Sequence, residues 1–209
     1  MIIAIDGPSA AGKGTLAARL AQIYGLRRLD TGTLYRATAL ALLHSGQQIG
    51  AEAAAEAAAK IDLGKLEDSA LRSPEIGQLA SVLAAFPAVR AALLEAQRGF
   101  AAEGRAVIDG RDIGTMIWPQ AEVKLFVSAS PQARALRRWR EHQMRGEAQS
   151  LEQVAQDLAA RDARDAARDT SPMRPAADAH LLDTSALGID EVVEIARRII
   201  DAAIAPPRG

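Results

Sequence analysis

Apolar residues open the chain in an unbroken run from Ile2 to Ile5, closed by Asp6, Gly7 and Pro8. That pattern predicts a short buried strand ending in a turn. Leu16, Leu20 and Ile23 then recur at spacings of four and three, so a helix is predicted from Lys13 to about Tyr24. A second turn at Asp30, Thr31 and Gly32 opens another helix, through Leu34, Ala37, Leu40 and Ala41. Residues 51–60 form a helix by propensity. Residues 61–72 have room for one or two short strands, and Pro74 and Pro87 each sit where a helix would start, the second running to about residue 103.

Further on, residues 106–108 and 123–127 read as buried strands, with the polar loop Asp109-Gly110-Arg111-Asp112-Ile113-Gly114 between them. Helices are predicted over 131–145 and, after a break at Gly146, over 151–168; 179–182 supplies a last strand and 189–203 a last helix. The tail from Pro206 is expected to fray. Strands separated by helices imply an α/β fold: a parallel sheet with right-handed crossovers, flanked by helices on both faces in three layers. Loops at the carboxyl ends of such strands form the ligand crevice, and the segments beginning at Asp6, Asp30 and Asp109 all start there.

The 209 residues suit one domain with small lobes, and 49% apolar content is enough to build its core. A net charge of −1 gives no electrostatic reason to expect nucleic acid or a membrane surface as partner. No cysteine is present, which removes disulfides and thiolate metal sites. The N-terminus lacks a basic region followed by a long apolar run, and no stretch reaches about 18 apolar residues. A cytoplasmic monomer is the expectation. Of 25 basic residues only Lys13, Lys60, Lys65 and Lys124 are lysines. A GC-rich genome accounts for an arginine excess of this kind, so individual arginines must be weighed one at a time. Each offers the planar, bidentate fork that suits phosphate.

The strongest chemical signal is Gly7-Pro8-Ser9-Ala10-Ala11-Gly12-Lys13-Gly14-Thr15, a phosphate-binding loop spaced G-x-x-x-x-G-K between a strand and a helix. Its glycines let backbone amides turn towards phosphate oxygens at a helix N-terminus, and Lys13 brings a cation to the β- and γ-phosphates. Gly14 stands where the general motif has the hydroxyl that ligates Mg²⁺, and Thr15 follows it. G-K-G-T in that form resembles the nucleoside monophosphate kinases. None of the four lysines sits in a guanine-reading N/T-K-x-D segment, and the signature loop of transporter ATPases is missing.

Three weaker signals follow. Thr31 at a strand end, with Arg36 on the next helix, offers a grip on a substrate phosphate or simply a helix start. Asp109, ending a strand beside the loop strand, is where a partner acting through water on Mg²⁺ is expected, with Arg111 meeting phosphate and Asp112 a base amino group, or the segment is simply a polar turn capped by Asp. Arg161, Asp165 and Arg168 share a helix face, and their spacing alone favours a solvated, salt-bridged surface. The run Arg134, Arg137, Arg138, Arg140 and Arg145 fits either a lid over phosphates, hinged at Gly146, or a charged surface.

Together these segments resemble bacterial cytidylate kinases over nearly the whole chain. The resemblance is carried by residues 7–15, L-D-T-G-T-L-Y-R at 29–36, A-S-V-L-A-A-F-P-A-V-R at 80–90, D-G-R-D-I-G-T at 109–115 and R-D-A-R-D-A-A-R at 161–168. It implies phosphoryl transfer from ATP, with Mg²⁺, to CMP or dCMP. It also implies a core (about 1–30, 91–133 and 169–209), a monophosphate-binding lobe (about 31–90) and a lid (about 134–168). Lys13, Arg111 and Arg168 would be catalytic. Arg36, Arg111 and Arg168 would hold the acceptor phosphate; Ser81, Arg90 and Asp112 would read cytosine; Thr31, Arg161 and Asp165 would lie near the ribose. Two departures stand out. Many bacterial members insert a three-stranded sheet where this chain has only the short stretch 61–74, and Thr31 replaces a common serine, adding a methyl beside the ribose.

A phosphate acceptor is already ionised at neutral pH and needs no general base, which agrees with the isolation of His44, His142 and His180. The rival readings are a kinase for UMP, AMP or a small metabolite, and a nucleotide-binding switch.

Overall fold

The computed structural model describes residues 1–66, 69–168 and 170–205. Its centre is a five-stranded parallel sheet in the order β2-β3-β1-β4-β5, formed by β1 (Ile2–Asp6), β2 (Arg27–Asp30), β3 (Ala106–Asp109), β4 (Val123–Ser128) and β5 (His180–Asp183). Strand alternation divides the side chains between two apolar layers. Ile3 and Ile5 join Val107, Leu125 and Val127 against α1 (Lys13–Tyr24) and α8 (Ile189–Ile204). Ile2 and Ala4 turn the other way, with Leu29 and Ile108, towards α5 (Pro87–Ala102). This is the predicted three-layer α/β fold.

A separate apolar cluster joins α2 (Thr31–Ser45), α3 (Ala51–Ala59), α4 (Pro74–Leu83) and α5 through Leu34, Leu42, Ala54, Ile76, Leu83 and Leu93. A small one, Ala135, Val154 and Leu158, joins α6 (Pro131–Met144) to α7 (Leu151–Ala166). Helix starts follow their caps: Ser73, Ser130 and Ser150 accept from backbone amides three residues on, and Pro74 and Pro131 occupy first-turn positions.

Among the described residues of 61–72, where one or two strands were expected, no strand forms. The described residues there make single 3-10 turns at Leu63–Lys65 and Ser69–Arg72. Asp62 caps the first by accepting from Gly64 N at 2.9 Å, while Ile61, Leu63 and Leu66 pack against the helical cluster. Residues 206–209, expected to fray, lie outside the described residues. Among the described residues no single helix is long and apolar enough to cross a membrane.

Gly7 fixes the junction of sheet and site. Its φ is 139°, and a Cβ there would stand 2.0 Å from the Val127 carbonyl oxygen, a backbone atom of the neighbouring strand. Gly7→Ala is therefore expected to destabilise the protein by about 3 kcal/mol or more, read as a lowered denaturant midpoint. A wild-type midpoint would show that β1 and β4 do not approach so closely.

Candidate active site

The loop after β1 turns through left-handed backbone at Ala10 (φ 60°) and Gly12 (φ 95°), and Gly12 O already accepts from Leu16 N at 3.0 Å. Gly7 to Thr15 thus wrap the N-terminus of α1, as the motif predicted. Lys13 is buried, and its Nζ donates to Pro8 O at 2.6 Å, across the loop. Burial first, then the charge of Arg111, hold its pKa well below the ordinary lysine value, against Asp109 and Asp30. A desolvated cation inside a ring of backbone groups is poised to gain from an anion.

Beside this loop a cleft is walled by Thr31, Gly32 and Tyr35 of α2, Ala80 of α4 and Ala84 just after it, Arg90 of α5, Gly110 to Asp112, Arg161 and Asp165 of α7, and Arg168 just past its end. Asp165 is 1% exposed and binds Arg111 Nε at 2.9 Å and Arg168. Burial opposes its ionisation, yet Arg111, Arg168 and Arg161 together hold its carboxyl below the usual range. The triad expected on spacing alone to face solvent is instead the floor of a cleft. Arg90 pairs with Asp112 and lies 5.9 Å from the Tyr35 ring centroid. Asp112 is aimed there because a π-helical turn, Ile113–Ile117, follows it. Asp6 holds that turn by accepting from Ile113 N at 2.7 Å and Gly114 N at 2.8 Å. Burial pushes the Asp6 carboxyl up to about 6 in spite of those two bonds. Thr31 Oγ1 donates to Asp109 O at 3.0 Å and so closes the corner.

Two expected residues fall elsewhere. Ser81 and Arg36 line an adjoining cavity between α4, α6 and α7, where Ser81 Oγ accepts from Arg164 Nε at 3.4 Å. Arg161 borders both spaces and joins them. Burial first, then Arg111, Arg36 and Arg138, push Arg161 down to about 9, so it stays cationic at neutral pH in a crowd of like charges. The site carries more guanidinium charge than its carboxylates neutralise.

Three of the arginines of α6 reach the phosphate-binding loop, while Arg140 is exposed. Arg134 Nη1 donates to Ser9 O at 3.4 Å, Arg137 Nη1 to Ala11 O at 3.5 Å, and Arg138 Nη2 to Ser9 Oγ at 3.4 Å. Sequence reasoning missed Thr184, whose buried hydroxyl accepts from Arg137 and donates to Ala11 O at 3.0 Å. It also missed the groove on that side, walled by Leu187, Ile189 and Val192. Thr184 lies just past the last predicted strand, at a strand's carboxyl end, and that position was its one signal.

Asp30 and Asp109 sit side by side in register at the ends of β2 and β3. Burial, then Asp30, push Asp109 up to about 6, while Arg28 and Lys13 favour its ionised form. Among the described residues no group of three metal-ligating side chains occurs. Mg²⁺ is commonly held by one or two carboxylates together with substrate phosphates, and this carboxylate pair beside Lys13 fits that donor set. His142 lines the adjoining cavity with its Nδ1 2.8 Å from Glu147 Oε2, and His44 and His180 are exposed, so none of the three lines the cleft that holds Asp165.

A structure from Eubacterium ventriosum, described as an uncharacterized protein, superposes with a TM-score of 0.57 at 13% identity, covering 97% of this chain and 98% of the other. A sugar kinase from Janibacter sp. HTCC2649 gives 0.50 at 15% identity, covering 98% of each. At such identities the likeness concerns the fold alone. Sequence likeness reaches further. A cytidylate kinase of Brucella suis biovar 1 is 51% identical over 210 residues, spanning 100% of this chain and 96% of that protein. One of Xanthobacter autotrophicus is 54% identical over 203 residues, spanning 97% and 98%. With the cytidylate kinase family model matching residues 3–202, the chain belongs to the cytidylate kinase family.

Proposed function

We propose that the protein transfers the γ-phosphoryl group of ATP to CMP and dCMP, giving ADP and CDP or dCDP. Family membership supports the reaction, and the Arg90–Asp112 pair at the end of an arginine-lined cleft carries the choice of base. Cytosine presents an amino donor beside two acceptors, N3 and O2. An aspartate and an arginine side by side offer the complementary acceptor and donors, and in the free protein they satisfy each other with those same groups. Uracil would set a carbonyl against the Asp112 carboxylate.

The phosphate-binding loop and Lys13 take the ATP phosphates, and the groove by Thr184 takes the nucleoside end. Arg111, Arg161 and Arg168 receive the acceptor phosphate, with Arg36 and Arg138 entering from the adjoining cavity; Thr31 and Asp165 lie nearest the ribose. Ser81 serves the base only by turning from Arg164. Asp109 and Asp30 would hold Mg²⁺ through its water shell, and the ion would supply charge neutralisation between phosphates. Transfer is in line, without a covalent enzyme intermediate: cations placed beforehand stabilise charge on the transferring group, and an ionised phosphate oxygen is the nucleophile. Residues 31–90 act as the acceptor lobe and 134–168 as a lid that excludes water. The chain works as a cytoplasmic monomer on small nucleotides, with neither nucleic acid nor membrane as partner.

An ADP-release assay across CMP, dCMP, UMP and AMP tests this. CMP and dCMP are expected to turn over fastest, with UMP lower in kcat/KM by about tenfold or more. Faster turnover of AMP or UMP would overturn the assignment. ADP release independent of any acceptor would favour a switch.

A further inference from the structure

We infer that Arg28 is a displaceable counter-ion that holds Asp109 in the nucleotide-free protein and competes with the divalent cation for it. Along β2 the side chains alternate. Arg27 and Leu29 turn to the α5 face, where Arg27 covers the Phe100 ring at 4.3 Å and Leu29 enters the core. Arg28 and Asp30 therefore face the phosphate-binding loop. Arg28 Nε donates to Asp109 Oδ1 at 3.3 Å. Its other end reaches the first turn of α1: a Cβ on Gly14 would meet Arg28 Nη2 at 3.3 Å and Asp109 Oδ2 at 3.9 Å. The guanidinium thus lies beside both the helix N-terminus and the carboxylate, where a cation shared by Asp109 and a triphosphate would sit.

Exposure distinguishes this pair from those that Arg90 and Arg111 make. The Arg28 side chain is 34% accessible and its partner 6%, whereas the side chains of Arg90 and Arg111 are 10% and 17% accessible. Half-exposed ion pairs are weak and their long side chains re-solvate readily. Arg28 can leave, while Asp109 stays. Until it leaves, its charge opposes a divalent cation at close range.

The inference rests on the metal–ATP reading of the site, and the test separates the two. Mn²⁺ binding to the protein–ATP complex, followed by the electron paramagnetic resonance of free Mn²⁺, is expected to tighten on the order of tenfold in Arg28→Gln. Arg28→Lys should stay near wild type, and ATP affinity in EDTA, measured by calorimetry, should be unchanged in both. An unchanged Mn²⁺ affinity in Arg28→Gln overturns the inference, and so does a loss of ATP affinity in EDTA, which would make Arg28 a phosphate ligand. ATP binding and turnover by the wild type that ignore divalent cations would sink the metal reading itself. Melting temperatures of the variants verify that each is folded.

Discussion

Lys13→Met should lower kcat by about three orders of magnitude and leave the protein at least as stable as the wild type. The first half follows from position. Lys13 is buried within the loop at the head of α1, with its ammonium already aimed across the loop at Pro8 O. A cation in such surroundings acts on developing phosphate charge in a low dielectric and needs no reorganisation during transfer. The second half follows from linkage. Its folded-state pKa lies below the ordinary value, chiefly through burial and then through Arg111. Below the unfolded pKa of about 10.4 the unfolded chain therefore binds this proton more readily than the native one. The charged lysine weakens the fold at neutral pH, and an apolar side chain of similar length removes that penalty. ADP release and a urea midpoint test both halves; activity within tenfold of wild type would show that the loop does not use Lys13.

Asp165→Asn should raise KM for CMP by about a hundredfold or more, with a smaller effect on kcat, and should cost about 3 kcal/mol of stability. The carboxylate is almost fully buried and binds two guanidiniums, Arg111 and Arg168, with Arg161 close enough to favour its charge. Asparagine keeps the shape and removes the charge, leaving three cations at the floor of the cleft. Because the folded pKa of Asp165 is depressed, its contribution is present above about pH 4, the unfolded value, and is lost as pH falls through the lower folded value. Inorganic phosphate should raise the melting temperature of the variant more than that of the wild type, since an anion replaces the missing charge. Equal phosphate responses would mean that Asp165 is only a structural anchor.

Much of the fold could be read because its strongest patterns are local. Ile2 to Ile5, the helix from Lys13 and the proline-started helices depend on neighbours in sequence, and all formed. Residues 61–72 failed because a few leucines do not distinguish a strand from a turn packed on helices. β2 was implied only by the turn after it, since Arg27 and Arg28 mask a strand whose one deeply buried apolar residue is Leu29. In the site, Gly7 to Thr15 could be found because backbone turning imposes a fixed spacing. Asp165 could not be placed by spacing: Arg161, Asp165 and Arg168 would look the same on a solvated helix, and it is the approach of α2, α4, Arg90 and the loop after β3 that encloses them. Beyond its place past a strand end, Thr184 carries no signal, since its partners Ala11 and Ser128 come from distant parts of the chain.

Arg36, Arg111, Arg138 and Arg161 come from α2, the loop after β3, α6 and α7, four separate parts of the molecule. Like charges gathered from separate elements act as a compressed spring: they push the walls apart until anions enter between them. On the proposed reading, the substrates' phosphates would add to the Arg111–Asp165 and Arg134–Asp162 pairs that already tie α7 to the loop after β3 and to α6. When either product departs it takes its negative charge with it, and the remaining repulsion works to reopen the site for the other. Turnover should therefore carry an ionic-strength signature of its own, because dissolved salt slackens the spring as well as weakening the grip on phosphate.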